Sequence, residues 1–456
     1  MNTPDLFSIL QIKFNLNAID SRLLIVGLGV TGYSAAQFLC NTPIKFAIID
    51  SRSHPPLIDT LREQMPDVPV FLGGFNQSAF EVATHLLISP GVSLAEPAIH
   101  AAIQSGAIVI SDIDLFACAT NKPIIAITGS NGKSTVTTML GEMGNMAGVK
   151  TVIGGNLGTP ALDLLDHNAD LYVLELSSFQ LERTTALNAK AATVLNVSPD
   201  HLDRHEDIAK YALEKQRIFR GEGTLVLNAD DPLVMAMQTE NRRWLTFSTH
   251  KPADFYLQSG DTPFLMHGEQ SLMATKDLPL EGTHNIANAL AALALGFAVG
   301  LDMQAMCKAL QNFKGLPHRM QKVGEVGGIF WINDSKATNI GACIAALEGY
   351  DRKVVLIAGG DAKGADMRDL IPAIKARTKS VILTGKDAGL IEKALDACVP
   401  TYHATSMKEA VRLAYHQAIA GDIVLLSPAC ASLDQYKSYA DRGNKFTEAV
   451  LELSPC

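Results

Sequence analysis

Positive charge is scarce in this 456-residue chain: 38 Lys and Arg face 47 Asp and Glu, for a net charge of −9. That balance excludes a general nucleic-acid or anionic-membrane surface, so an anionic ligand must be held by a local cluster of cations against the overall field. Cysteine pairing is also missing. The seven cysteines (Cys40, Cys118, Cys307, Cys343, Cys398, Cys430 and Cys456) are odd in number, scattered and without a C-x-x-C. This argues against a disulfide frame or a zinc site and predicts reduced thiols. No apolar run is long enough to span a bilayer, and Met1-Asn2-Thr3-Pro4-Asp5 has no basic leader character. No internal repeat or low-complexity tract is present. The expectation is a cytoplasmic, monomeric chain. Its 47% hydrophobic and 19% charged residues, 35 Gly and 20 Pro suit a soluble α/β protein, and its length exceeds what one core supports.

Short β-branched apolar runs recur, most ending in Gly, Ser or Asn and followed by helical periodicity. They include 23–27, 86–89, 108–111, 124–128, 171–175, 193–196, 225–228, 354–359, 381–385 and 423–427. Continuous apolar runs alternating with helices predict parallel sheets covered on both faces. Ligands of such sheets bind beyond the carboxyl ends of the strands, which makes each terminal polar residue a candidate.

The most informative run is Ile124 to Thr128, followed by Gly129-Ser130-Asn131-Gly132-Lys133-Ser134-Thr135 and a helical pattern. A glycine turn into a helix N-terminus gathers backbone N–H groups, Lys133 adds a charge, and Ser134 or Thr135 offers a hydroxyl to Mg²⁺. This predicts a triphosphate site. The general phosphate-loop pattern wants glycine at 127, where Ile127 stands, so a tighter turn is expected. Glu175, at the end of another run, fits a Mg²⁺ ligand or a helix cap. His201 and His205 have zinc-helix spacing, but Leu202 replaces the usual Glu, and His201 suits a Mg²⁺ or phosphate site better. Lys215 reads by itself as a solvated helix charge. Asn285 and Asn288 share one face of a helical turn, where they read a base edge or cap the helix.

Gly27-Leu28-Gly29-Val30-Thr31-Gly32 with Asp50 about twenty residues on fits a dinucleotide fingerprint. NAD and another diphosphate, such as a UDP-sugar, both satisfy it. Beyond residue 315, Arg319, Lys336 and Lys363 stand near strand ends and suggest a doubly anionic ligand beside the nucleotide.

Five segments in order, 129–135, 174–182, 316–319, 333–339 and 427–436, resemble the Mur ligase family, the ATP-dependent amide ligases of peptidoglycan synthesis. The likeness runs from Gly27 to about Phe446. It implies an α/β fold in three domains: a Rossmann-like N-terminal domain (1–111) for a UDP-linked substrate, a central P-loop ATPase-like parallel-sheet domain (112–315) for ATP, and a Rossmann-like C-terminal domain (316–456) for an amino acid. It also implies UDP-N-acetylmuramoyl-L-alanine and D-glutamate as substrates, joined through an acyl phosphate with ATP and two Mg²⁺ ions. A sister ligase, a folylpolyglutamate-type ligase, an NAD-dependent oxidoreductase and a nucleotide sensor are the alternatives.

Carried over by motif, the resemblance gives Gly129 to Thr135 to ATP, with Lys133 on the β/γ phosphates. Ser134 and Glu175 hold the first Mg²⁺. His201 and a carbamylated Lys215 hold the second. Asn285 and Asn288 read adenine, and Arg319 and Asp334 lie at the nucleotide. Gly29, Val30, Thr31, Asp50, Arg52 and Asn156 take the UDP-substrate, which replaces NAD in the first domain. Lys336, Thr338, Lys363, Ser432, Leu433 and Tyr439 form the amino-acid pocket, with Tyr439 standing where the family pattern leads one to expect Phe.

Overall fold

A computed structural model describes residues 6–453 apart from Glu281 and Asp351. Met1–Asp5, Glu281 of the segment before Asn285, and Cys456 lie outside the described residues. Three sheets follow one another along the chain.

The first sheet has five parallel strands in the order Val70–Leu72, Phe46–Asp50, Leu23–Val26, His85–Ile88, Ile108–Ile110. The second has nine. Thr151–Gly155, Leu171–Glu175, Ile124–Thr128, Ala191–Val194, Thr224–Asn228, Trp244–Ser248 and Phe255–Gln258 are parallel neighbours, and the antiparallel strands Phe264–His267 and Gln270–Ala274 close one edge. The third has six strands, with Gln321–Val326 antiparallel to Ile329–Asn333 at one edge and the rest parallel. The α/β expectation therefore holds, with one correction: the central and third sheets are mixed. Their antiparallel edges are partly exposed, so they lack the continuous apolar signature that marks doubly covered strands.

The covered strands show why the sheets are sandwiched. All five residues of Ile124–Thr128 are buried. Ile125 and Ile127 face a cluster with Met139, Leu140 and Leu290 from the helices Lys133–Met146 and Thr283–Val299. Ile124 and Ala126 face the other way, into a cluster that includes Leu10, Ile25 and Phe116. That second cluster is continuous from the N-terminal sheet to the central one, so the first two domains share apolar packing. In the third sheet Val354, Leu356 and Ala358 face one side and Val355 and Ile357 the other. Strand ends rich in Gly, Ser, Asn and Asp are left free to carry chemistry.

Candidate active site

The central strand Ile124–Thr128 lies between Leu171–Glu175 and Ala191–Val194, where the sheet order reverses. A crevice opens at that point, and the loop 129–132 fills its floor. Gly129 (φ 153°) and Gly132 (φ 85°) occupy conformations closed to most side chains. Gly132 caps the helix Lys133–Met146 with no side-chain hydrogen bond, which leaves the helix N-terminus open to an anion. Asn196 shapes the loop: its carbonyl accepts from the Ser130 N–H (2.9 Å) and its Oδ1 from the Asn131 N–H (2.9 Å). Lys133 Nζ folds back and donates to the carbonyls of Gly129 (2.8 Å) and Ser130 (3.0 Å). Burial pushes its pKa down, and Glu175 and Asp200 pull it up.

Glu175 ends its strand and is 3% exposed. Asn156 Nδ2 donates to its Oε1 at 2.6 Å, and its Oε2 is a buried atom without a hydrogen-bond partner among the described residues. The capping alternative does not apply, because Ser177 and Gln180 form the capping box of the helix Ser178–Leu181 that follows. A buried carboxylate oxygen that faces a cavity with Lys133 and Arg319 suits a divalent cation with phosphate ligands. Arg319 Nη2 donates to Ser134 Oγ at 2.8 Å, so the third domain already touches the phosphate loop.

Lys215 corrects its isolated reading. It is 1% exposed on the helix Ile208–Gln216, not solvated. Its Nζ donates to the Gly129 carbonyl (3.0 Å) and sits 4.3 Å from the centroid of the Tyr211 ring. No carboxylate among the described residues lies within ion-pair distance. Burial, then the nearby Lys133, pushes its pKa well below the ordinary lysine value, so the amine is neutral at a pH where other lysines are charged.

His201 lines the same cavity in a left-handed conformation (φ 54°), with Nε2 3.7 Å from Asp200 Oδ2. His205 turns elsewhere, its Nε2 3.0 Å from Ser178 Oγ and its ring stacked on Phe179, so the two histidines do not form a zinc pair. Among the described residues no group of three or more His, Cys, Asp or Glu is placed to hold a metal.

Three further cavities adjoin this one. On one side Asn131, Gly132, Arg319 and Lys336 are shared with a recess lined by Asn285, Asn288, Leu195, Phe247 and Leu280. Both asparagines are buried, and neither caps the helix, whose N-cap is Gly282. Asp334 lies in that recess, accepts from Ser427 Oγ (3.0 Å) and the Met320 N–H (3.2 Å), and is pushed up to about 7 by burial. On a second side Asn156 is shared with a cavity lined by Gly29, Val30, Thr31, Asp50 and Arg52. Asp50 accepts from the Leu28 N–H at 2.7 Å and pairs with Arg52 at 2.7 Å. On the third side Thr338, Asp200 and His201 are shared with a small pocket that holds Lys363.

Lys336 Nζ lies 3.8 Å from the centroid of the Tyr439 ring, and burial, then Arg319, pushes it down to about 8. Tyr at 439 therefore supplies an aromatic face to a cation. Ser432 is buried and Leu433 exposed, and neither lines the cavities described.

The three sheets thus turn four adjoining recesses toward one lysine-bearing loop. Residues 21–111 match the Mur ligase MurD-like N-terminal domain, residues 127–296 the Mur ligase middle domain, and residues 318–430 the Mur ligase glutamate ligase domain. A UDP-N-acetylmuramoylalanine–D-glutamate ligase from Methylococcus capsulatus is 51% identical over 439 residues, 96% of either chain. Its namesake from Marinobacter nauticus is 50% identical over 94% of this chain and 98% of its own. The chain belongs to the Mur ligase family.

Among solved structures, a UDP-N-acetylmuramate-alanine ligase from Thermotoga maritima covers 95% of this Mur ligase and all of its own chain, with a TM-score of 0.61 at 17% identity. A pseudomurein peptide ligase type C from Methanothermus fervidus gives 0.62 at 18%, with the same coverage. At such identities the likeness speaks for the fold alone.

The structure adds residues to this Mur ligase site that sequence reasoning left unassigned. Asp200 is half-buried, and burial pushes its pKa up, but His201 and Lys363 outweigh that and hold it below the usual range. It accepts from Lys363 Nζ (2.8 Å) and Asn339 Nδ2 (3.0 Å). Asn339 also donates to Asn131 Oδ1 at 3.2 Å. These bonds dock the third sheet's loops on the phosphate loop and on the loop after the strand Ala191–Val194. Asn339 ends the segment 333–339, and Asp200 lies four residues past the apolar run 193–196. Their strand-end positions were the available signal, but pairing across domains has no local signature.

Proposed function

We propose that this Mur ligase joins D-glutamate to UDP-N-acetylmuramoyl-L-alanine with hydrolysis of ATP, in the synthesis of peptidoglycan precursor, as a cytoplasmic monomer. The observation that carries the reading is identity of about half, over nearly the full length, with ligases of that name. The adjoining cavities support it, since each suits one reactant. ATP would lie with its base between Asn285 and Asn288 and its phosphates on residues 129–135, Lys133 at the β/γ oxygens and Arg319 and Asp334 beside the nucleotide. The UDP end would lie at Gly29, Val30, Thr31, Asp50 and Arg52, with Asn156 nearer the reacting end. The amino acid would lie among Lys336, Thr338 and Lys363, with Ser432, Leu433 and Tyr439 outside the cavity wall. Residues 1–111, 112–315 and 316–456 would then be the three binding domains.

The chemistry follows from charge. A carboxylate oxygen of the UDP-substrate attacks the γ-phosphorus, ADP leaves, and an acyl phosphate forms. The amine of D-glutamate, as the free base, attacks the acyl carbon, and inorganic phosphate leaves as the amide forms. Lys133, Lys336 and Arg319 offset the repulsion among three anionic reactants. The orphaned Glu175 Oε2 and the Ser134 hydroxyl fit one Mg²⁺. His201 and Lys215 fit a second only if Lys215 carries CO₂, because an amine is a poor Mg²⁺ ligand and a carbamate a good one. Two Mg²⁺ ions bound there would neutralise phosphate charge as it develops.

A panel of amino acids offered with ATP and UDP-N-acetylmuramoyl-L-alanine tests the reading. ADP release is expected with D-glutamate alone. Turnover with L-lysine or L-alanine and not D-glutamate would assign the chain to a sister ligase.

A further prediction concerns Gly132. A Cβ there would collide with Asn288 Oδ1, and its φ of 85° strains any L side chain. Gly132→Ala is expected to cost about 1–3 kcal/mol in stability and to weaken ATP more than the UDP-substrate in calorimetric titration. Equal affinities for ATP in both proteins would remove the base recess from the account.

A further inference from the structure

Arg183 lies outside the phosphate cavity, yet its side chain is fully buried. It follows the helix Ser178–Leu181 of the central domain. A buried guanidinium needs several acceptors to offset its dehydration, and most of those of Arg183 lie in the N-terminal domain. Its Nη1 donates to the carbonyls of Ser89 (2.7 Å), Ile88 (3.2 Å) and Val92 (3.4 Å), and its Nη2 to Glu182 Oε2 (2.7 Å). Arg204 reinforces the grip. Its Nη2 donates to the Val92 carbonyl at 2.9 Å and lies 3.7 Å from Glu182 Oε2.

The gripped segment is the turn after the strand His85–Ile88, and it walls the cavity that holds Thr31, Asp50 and Arg52. Ser89 carries the grip onward. Its Oγ donates to the Gly27 carbonyl at 2.9 Å, and Gly32 has no room for a Cβ beside that carbonyl and Ser89 Oγ. A continuous chain therefore runs from the Arg183 guanidinium through the Ser89 carbonyl and hydroxyl to the glycine turn. The facing wall belongs to the central domain and includes Asn156 and Gln180. The width of the cavity is set where the two domains meet, and Arg183 is a fully buried charged contact at that seam.

We propose that Arg183 is a positioning residue for the diphosphate end of the UDP-linked substrate. It fixes the glycine turn of the N-terminal domain against the central-domain wall. It touches no ligand itself, and it acts through Ser89 and Gly27. This inference rests on the UDP-substrate reading above.

Calorimetric titration of the full chain with UDP, and separately with a non-hydrolysable ATP analogue and Mg²⁺, tests it. Arg183→Met is expected to weaken UDP at least about tenfold, the scale of losing charge-assisted hydrogen bonds, with the ATP analogue unchanged. Arg183→Lys keeps the charge without the fork and is expected to fall between. UDP affinity equal to wild type in Arg183→Met, or an equal loss of UDP and ATP analogue, overturns the proposal. Should Arg183→Met fail to fold, Ser89→Ala interrupts the same chain at its hydroxyl. A smaller loss confined to UDP then supports the proposal, and an unchanged UDP affinity overturns it. A wild-type chain that takes up no UDP overturns the substrate reading itself, a result distinct from a variant that matches an active wild type.

Discussion

Lys133→Ala is expected to lower kcat by about 10²–10³, the usual loss on removing one preorganised charge stabiliser. The Nζ now donates to the carbonyls of Gly129 and Ser130, at the centre of the loop. These bonds hold the ammonium where phosphate oxygens would arrive, so little reorganisation is needed when charge develops. Deleting the side chain leaves the loop's glycines and the helix N-terminus in place. Nucleotide should still bind, with the larger deficit in turnover. Steady-state kinetics at saturating ATP measure this, and an unchanged kcat would mean that the loop binds nucleotide without taking part in transfer.

The second large effect concerns Lys215. Removing CO₂ from the protein at low pH is expected to lower activity by about 10–100-fold, the scale seen when groups that tune a metal site are lost, and bicarbonate should restore it. Carbamate formation joins the neutral amine to CO₂ and releases a proton, so acid reverses it. Burial favours the neutral amine here, and among the described residues the Nζ has a carbonyl and an aromatic face as partners but no carboxylate. Carboxylation would replace a neutral amine by an anion beside Lys133 and make the local field more negative. Intact mass with and without bicarbonate, alongside activity, checks it. Full activity in a CO₂-free protein with no labile extra mass would refute the carbamate.

The sequence was legible where burial is continuous. The runs at 124–128, 171–175 and 354–359 are strands with every residue buried, and an uninterrupted apolar run is what that environment demands. The glycine loop was legible for a related reason: φ values of 153° and 85° leave little choice of residue. The antiparallel edge at 264–274 was not, because half-exposed strands tolerate mixed residues. Lys215 was misread in isolation, since nothing local distinguishes a lysine that points into a cavity from one in water. Resemblance placed it in the site, and its burial supports that placement. Asp200, Asn339 and Arg183 were beyond local reading altogether, because their partners lie 139, 208 and 94 residues away in the chain, respectively.

The most direct test follows oxygen. UDP-N-acetylmuramoyl-L-alanine labelled with ¹⁸O in its carboxylate, incubated with ATP, Mg²⁺ and D-glutamate, should transfer one labelled oxygen to the released inorganic phosphate, read by ³¹P NMR isotope shift or mass. Phosphate released alongside amide product without label would mean that the carboxylate never attacks the γ-phosphorus, and would contradict the account at its centre.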